Sequence, residues 1–245
     1  TTEIYTLSLH DALPISDLTY ETEQTWSGIP EQFCSVENPA LCVTAVRNPN
    51  PKPIGAAVFL PDDAFLRNGA PMTKEEVRAV IISKLRLQPD SIVWDLGAGT
   101  GSVSITCAKC CPYGQVYAVE YQEQALDILR QNCAYLQAEN VTVIAGRAET
   151  VLSELPVPDC IFIGGSNGAF PEILRQIQQL PKPVRLVVSA VTLETQAEVT
   201  QLLQDAPQLE IIPVFSGQSR KVGRYHVLQP YHPVLLFACT GGKSS

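Results

Sequence analysis

The chain has 245 residues, 45% of them hydrophobic, a formal net charge of −8 and an isoelectric point near 4.9. That length holds one α/β domain with an appendage and a buried core, and no apolar run approaches the ~20 residues that cross a bilayer. The acidic balance excludes a large nucleic-acid footprint, yet leaves room for a small anionic substrate held by a few local cations.

Residues 1–17 show no clean period and no secretory pattern, and Leu7 to Ser16 resembles a translated sequencing-adapter peptide. This leader is expected to be foreign to the fold, disordered or loosely docked. Residues 18–59 contain one strand pattern, Leu41 to Val46, followed by a proline-rich break, Asn48 to Pro53. About forty residues with one strand cannot bury a core of their own, so this stretch reads as the remnant of a larger upstream domain with its linker. The domain proper is expected over 60–245.

Thr73 and Glu76 have the spacing of a capping box, and the helix they open carries Val77, Val80, Ile81 and Leu85 on one face. An apolar strand, Ser91 to Leu96, then enters the glycine-rich turn Gly97 to Gly101. Beyond it, helix and strand periods alternate: helix Ser102–Cys111, strand Gln115–Glu120, helix Gln122–Gln137, strand Val141–Ala145, a short helix at Glu149–Leu155 and strand Asp159–Ile163. Helix Pro171–Gln179, strand Arg185–Ala190 and helix Glu194–Asp205 complete the alternation, which predicts βαβ units and a parallel sheet. Glu210–Phe215 and Val234–Ala238 have no helix between them and predict an antiparallel closing hairpin. The predicted fold class is therefore α/β, Rossmann-like, with seven mainly parallel strands. The eight cysteines include a C-x-x-C-C cluster, Cys107, Cys110 and Cys111, inside a predicted helix. No second pair accompanies it, so small apolar positions in a reducing cytoplasm are expected rather than a metal site.

The turn after the first domain strand decides the ligand class. A dinucleotide turn carries glycine at its first, third and sixth positions; here Gly97, Gly99 and Gly101 occupy the first, third and fifth. Asp95 precedes the turn, where its charge would repel a pyrophosphate but suits an ammonium and a sulfonium. Glu120 ends the next strand, near the ~20-residue spacing at which an acidic side chain meets ribose hydroxyls. These features point to motif I of the class I S-adenosylmethionine (SAM) methyltransferases and away from a nicotinamide oxidoreductase. Gly97, Ala98, Gly99, Thr100 and Gly101 would line the methionine end, Glu120 the ribose and Ala148 the adenine; Glu149 is either an adenine contact or a solvated helix-start residue. Gly164 to Gly168 follows the fourth strand, where a methyl acceptor belongs, and lacks the Asn-Pro-Pro-aromatic run of nucleic-acid amino methyltransferases. Gln218 to His226 places Arg220, Lys221 and Arg224 in a loop that is either a solvated hairpin or a grip for carboxylates.

With those residues in place the chain resembles the T-type precorrin methyltransferases of the corrin (vitamin B12) pathway. The resemblance is carried by Pro61 to Phe65, Pro71 to Arg78, Asp95 to Ile105, Phe162 to Ser166, Val191 to Thr195 and the tail through His232-Pro233-Val234, and covers about residues 60–240. It implies methylation of carbon 15 of a precorrin or cobalt-precorrin, with loss of CO2 from the ring C acetate. It further implies SAM contacts at Thr73, Gly97 to Gly101, Glu120 and Ala148. Substrate contacts are implied at Gly165, Ser166, Asn167, Thr192, Arg220, Lys221 and Arg224, in a cytoplasmic homotetramer. Residues 18–59 resemble the end of the E-type partner domain, too short to bind SAM itself. Thr106 and Ser189 depart from the residues usual in the family, Glu and Asn. A tRNA or protein methyltransferase, and a non-catalytic SAM-binding subunit needing an E-type partner, are the competing expectations.

Overall fold

The computed structural model describes residues 60–67, 69 and 71–242 with their side chains, and the backbones of 11–16, 24–25 and 42–47. The chain divides into two compact units, Thr1–Ala56 and Ala57–Ser245. In the first, β1 (Asp11–Ser16), β2 (Gln24–Thr25) and β3 (Cys42–Arg47) form an antiparallel sheet of order β2-β1-β3. The expected strand thus appears one residue later, at Cys42–Arg47, and it pairs along its whole length with Asp11–Ser16, where no regular element was expected. The rest of the leader and the proline-rich break fall outside the described residues.

The second unit carries α1 (Glu75–Leu85), β4 (Ile92–Leu96), α2 (Ser102–Cys110), β5 (Gln115–Glu120), α3 (Glu123–Tyr135) and β6 (Val141–Ala145). It continues through α4 (Ala148–Val151), β7 (Cys160–Ile163), α5 (Phe170–Gln178), β8 (Val184–Ala190) and α6 (Leu193–Leu203). The last strands are β9 (Glu210–Val214), β10 (Gly217–Val222), β11 (Tyr225–Pro230) and β12 (Val234–Gly241). Seven strands make one sheet of order β6-β5-β4-β7-β8-β12-β9. From β4 the chain moves outward through β5 and β6 on one side, then returns to build β7 and β8 on the other. The order therefore reverses at β4, and a crevice opens beyond the carboxyl ends of β4, β5 and β7.

Strands buried on both faces explain the unbroken apolar runs. On β4, Val93 joins Ile81, Leu85 and Ile105 on the α1–α2 side, while Trp94 and Leu96 join Ile161, Ile173 and Phe237 on the α5–α6 side. The Trp94 indole N–H donates to the Pro156 carbonyl at 3.0 Å, satisfying its one polar group.

Two sequence expectations change. The Thr73–Glu76 capping box does not form: α1 begins at Glu75, its cap residue is Lys74, and no side chain caps it. Thr73 lies one position too far out, and its carbonyl accepts from Arg78 instead, at 2.8 Å. The closing strands pair antiparallel as expected, but with more between and beside them than a loop. β12 inserts between β8 and β9, antiparallel to both. The segment between β9 and β12, expected as a loop, folds back as a separate two-stranded ribbon, β10–β11, exposed along both strands.

Candidate active site

The crevice is a cavity of about 680 Å³, within the range of small-molecule sites. Its floor is the glycine turn. Gly97, Gly99 and Gly101 have φ of 75°, 55° and 80°, a left-handed backbone that costs other residues roughly 1–2 kcal/mol. A Cβ on Gly97 would stand 2.5 Å from the Gly165 carbonyl oxygen. The turns after β4 and β7 therefore touch backbone to backbone, which fixes both sides of the crevice.

Glu120, at the end of β5, is 6% exposed and lies in the wall. One carboxylate oxygen accepts from the Gly99 N–H at 2.9 Å; the other accepts from Tyr121 and Gln122 N–H at 2.8 and 2.9 Å. It joins the glycine turn to the start of α3, with lone pairs left for a ligand hydroxyl. Next to it, Arg147 stacks over the Tyr121 ring at 4.7 Å, and Gly146 to Glu149 complete this end of the cavity. Gly165, Ser166 and Asn167, the arm residues Pro71 to Lys74, and Ser189, Ser216, Tyr231 and His232 also line it.

Thr73, Gly97, Ala98, Gly99, Thr100, Glu120 and Ala148 thus lie together in the wall, as do Gly165, Ser166 and Asn167. Other expected residues lie elsewhere. Gly101 caps α2, where a Cβ would meet Leu129. Asp95, expected to face the ammonium of the donor, is wholly buried beneath the turn and does not line the cavity. The Ser104 hydroxyl donates to one of its oxygens and the other has no partner. Burial pushes its pKa up to about 7, against the Ser104 hydrogen bonds and with the Glu120 charge adding to the rise.

Thr192 caps α6, accepting from the Thr195 N–H at 3.2 Å, and is not in the wall. Arg220 and Lys221 lie on β10 and Arg224 in the ribbon turn, all exposed and outside the wall. Thr106, expected to depart from the family's usual residue, as is Ser189, is buried and bonds back to the Ser102 carbonyl. Ser189, the other, does line the cavity. Cys107, Cys111 and Cys160 are held as thiols, the first raised well above its ordinary value and the others to about 12 and 11, chiefly by burial. Among the described residues no group of three or more His, Cys, Asp or Glu could hold a metal, and no helix is long and apolar enough to cross a membrane.

Two buried side chains that bear on the site escaped the sequence reading. Asn132 of α3 accepts from the Leu66 N–H at 2.7 Å and donates to the Leu66 and Thr100 carbonyls at 3.1 and 2.9 Å, binding the arm before α1 to the glycine turn. Arg78, 1% exposed, donates to the carbonyls of Thr73 and Leu60 and pairs with Asp62 at 3.4 Å. The signal available was a polar residue on the apolar face of each helix.

This sheet order, with a glycine turn at its reversal point and a carboxylate ending the next strand, defines the class I SAM-dependent methyltransferase fold. The site fits that cofactor: Gly97 and Gly99 keep the floor free of side chains, and the Glu120 carboxylate lines the cavity beside them. The chain belongs to the family described as precorrin methyltransferase domain, whose model matches residues 63–241. It is 38% identical over 182 residues to a protein of Pyrobaculum calidifontis described as a probable cobalt-precorrin-6B C(15)-methyltransferase (decarboxylating), covering 72% of this chain and 93% of that one. Among solved structures it resembles a precorrin-6y C5,15-methyltransferase from Geobacter metallireducens, with a TM-score of 0.69, 37% identity and coverage of 74% and 97% of the two chains. A precorrin 8W decarboxylase from Methanobacterium thermoautotrophicum gives 0.68, 30%, 74% and 98%.

Proposed function

We propose that the protein transfers a methyl group from SAM to carbon 15 of a precorrin or cobalt-precorrin, with loss of CO2 from the ring C acetate. The observation that carries this is one cavity, in a chain of the precorrin methyltransferase family, lined by both turns. Glu120 and the bare glycine turn offer a place for the donor, and Gly165, on the turn beside them, a place for the acceptor. When bound, SAM supplies an electrophilic methyl group on a sulfonium. Glu120 takes the ribose, Gly97 to Gly99 the methionine end, Ala148 the adenine, and Thr73 closes over the donor from the arm. Methyl transfer needs alignment more than a nucleophilic side chain, and Gly165, Ser166 and Asn167 leave room for a flat acceptor beside the donor.

Lys74 gives the acceptor's place a fixed cation for a substrate carboxylate. Arg220, Lys221 and Arg224 add positive charge on the ribbon beyond the rim. The ribbon exposes Tyr225, Val227 and Leu228 at 62, 51 and 83%, which supports self-association in the homotetramer that we propose. Residues 18–59 read as the end of an E-type domain.

The test supplies methyl-labelled SAM and cobalt-precorrin-6B to the purified chain and follows label in the tetrapyrrole with CO2 release. S-adenosylhomocysteine titrated by calorimetry gives the binding arm. Binding without turnover, relieved by adding an E-type partner, would favour the non-catalytic-subunit reading. Heat with a nicotinamide dinucleotide but none with S-adenosylhomocysteine would overturn the assignment.

A further inference from the structure

A reaction that exchanges a carboxylate for hydrogen needs a group that hands a proton to carbon. Besides the phenols Tyr121 and Tyr231, which lie against Arg147 and Lys74, the cavity wall offers few. Glu120 is engaged by three backbone N–H groups. Glu149 faces Arg147 at 3.9 Å. Lys74 is paired with Asp62 at 3.4 Å and lies 4.8 Å over the Tyr231 ring. His232 is the one imidazole in the wall, and no hydrogen bond or ion pair to a described residue occupies it. His226 is on β11 opposite Lys221 and outside the wall.

The backbone on both sides of His232 is fixed. The Tyr231 N–H donates to the Ser216 carbonyl at 2.9 Å, Pro233 confines the residue before it to an extended conformation, and Val234 pairs with Val214 at the start of β12. The ring is therefore carried by a held segment while remaining exposed to water, which lets solvent restore its proton. Imidazole can both give and take a proton near neutral pH.

We propose that His232 is the catalytic proton carrier that completes decarboxylation, an inference that rests on the function proposed above. Methyl transfer leaves one positive charge on the conjugated acceptor. The bond between the acetate methylene and its carboxylate then breaks, CO2 departs, and the electron pair enters the conjugated system and cancels that charge. The side chain is left as an exocyclic methylene. The His232 imidazolium gives a proton to that carbon, forming a methyl group, and the neutral imidazole takes back a proton from the resulting cation. The sum is methyl donor plus acid giving methylated product and CO2, with no outside oxidant or reductant.

The test uses the full chain, SAM and cobalt-precorrin-6B carrying 13C in the ring C acetate methylene, with His232→Ala and His232→Gln compared to the parent by NMR. In both variants the ratio of methylene product to methyl product is the quantity read, normalised to the CO2 each releases. The olefinic methylene signal should accumulate, its conversion to methyl slowed about 100-fold or more, and added imidazole should speed the Ala variant. Methyl signal appearing at the parental rate would overturn the proposal. So would loss of methyl transfer in variants that still bind S-adenosylhomocysteine. A parent chain that transfers no label would instead sink the proposed function.

Discussion

The contact between the turns after β4 and β7 can be tested by one methyl group. In Gly97→Ala the new Cβ would stand 2.5 Å from the Gly165 carbonyl oxygen and 2.9 Å from its nitrogen, at a φ of +75°. The left-handed backbone costs alanine roughly 1–2 kcal/mol, and overpacking against fixed backbone adds about 1–3 kcal/mol. The sum, about 2–5 kcal/mol, lies below the stability of many domains of this size. The variant should therefore fold with a lowered melting temperature and a widened crevice. Its affinity for S-adenosylhomocysteine should fall at least about tenfold, because the floor of the donor site has moved. Gly165→Ala probes the same contact from the other side: its Cβ meets nothing within 4 Å and its φ is ordinary, so stability and donor affinity should be near parental. Thermal melts and calorimetry on the three proteins decide the matter. A Gly97→Ala protein that binds the product like the parent, or a Gly165→Ala protein equally destabilised, would refute the packing argument.

Asn132→Ala strands the Leu66 N–H and two carbonyls; urea unfolding should show a loss of about 2–5 kcal/mol, with weaker donor binding because the arm is released. Asp95 keeps its proton in the folded chain up to about pH 7, against an ordinary value of 3.8. The folded state binds the extra proton between those limits, so this group lowers stability as pH rises through that window and contributes a constant deficit above it, about 4 kcal/mol at most. Asp95→Asn should accordingly gain on the parent in melts from pH 4 to 7 and hold that advantage at pH 8; a less stable variant at pH 8 would contradict the burial argument. Leu228→Asp, on the exposed ribbon, should reduce the molar mass measured by light scattering if ribbons join subunits, and an unchanged mass would remove the ribbon from the interface.

The alternation of periods located every strand of the large sheet, because a strand buried on both faces and a helix buried on one leave different marks. The place of Glu120 and the glycine turn in the cavity wall was legible for a related reason, since it follows from backbone shape and a strand end. The ribbon was not: Ser219, Arg220 and Lys221 face water on both sides, so nothing enforces an apolar alternation. The insertion of β12 between β8 and β9 is a long-range pairing that no local pattern encodes. Asp95 was assigned to the ligand because its charge fits the donor, but alternation along β4 turns it to the interior, toward Ser104. Thr73 and Glu76 have the spacing of a cap, yet a helix start one residue later leaves Thr73 outside it. Asn132 and Arg78 act through carbonyls far away in sequence, and their types alone could not name those partners.

The Glu120 carboxylate is anchored by its own chain, accepting the Gly99, Tyr121 and Gln122 N–H groups. An acceptor so anchored has little conformational freedom to surrender on complex formation, so ordering of this corner takes little from the affinity. The heat-capacity change on binding should then track the apolar surface that the nucleoside covers, without the excess that marks coupled folding.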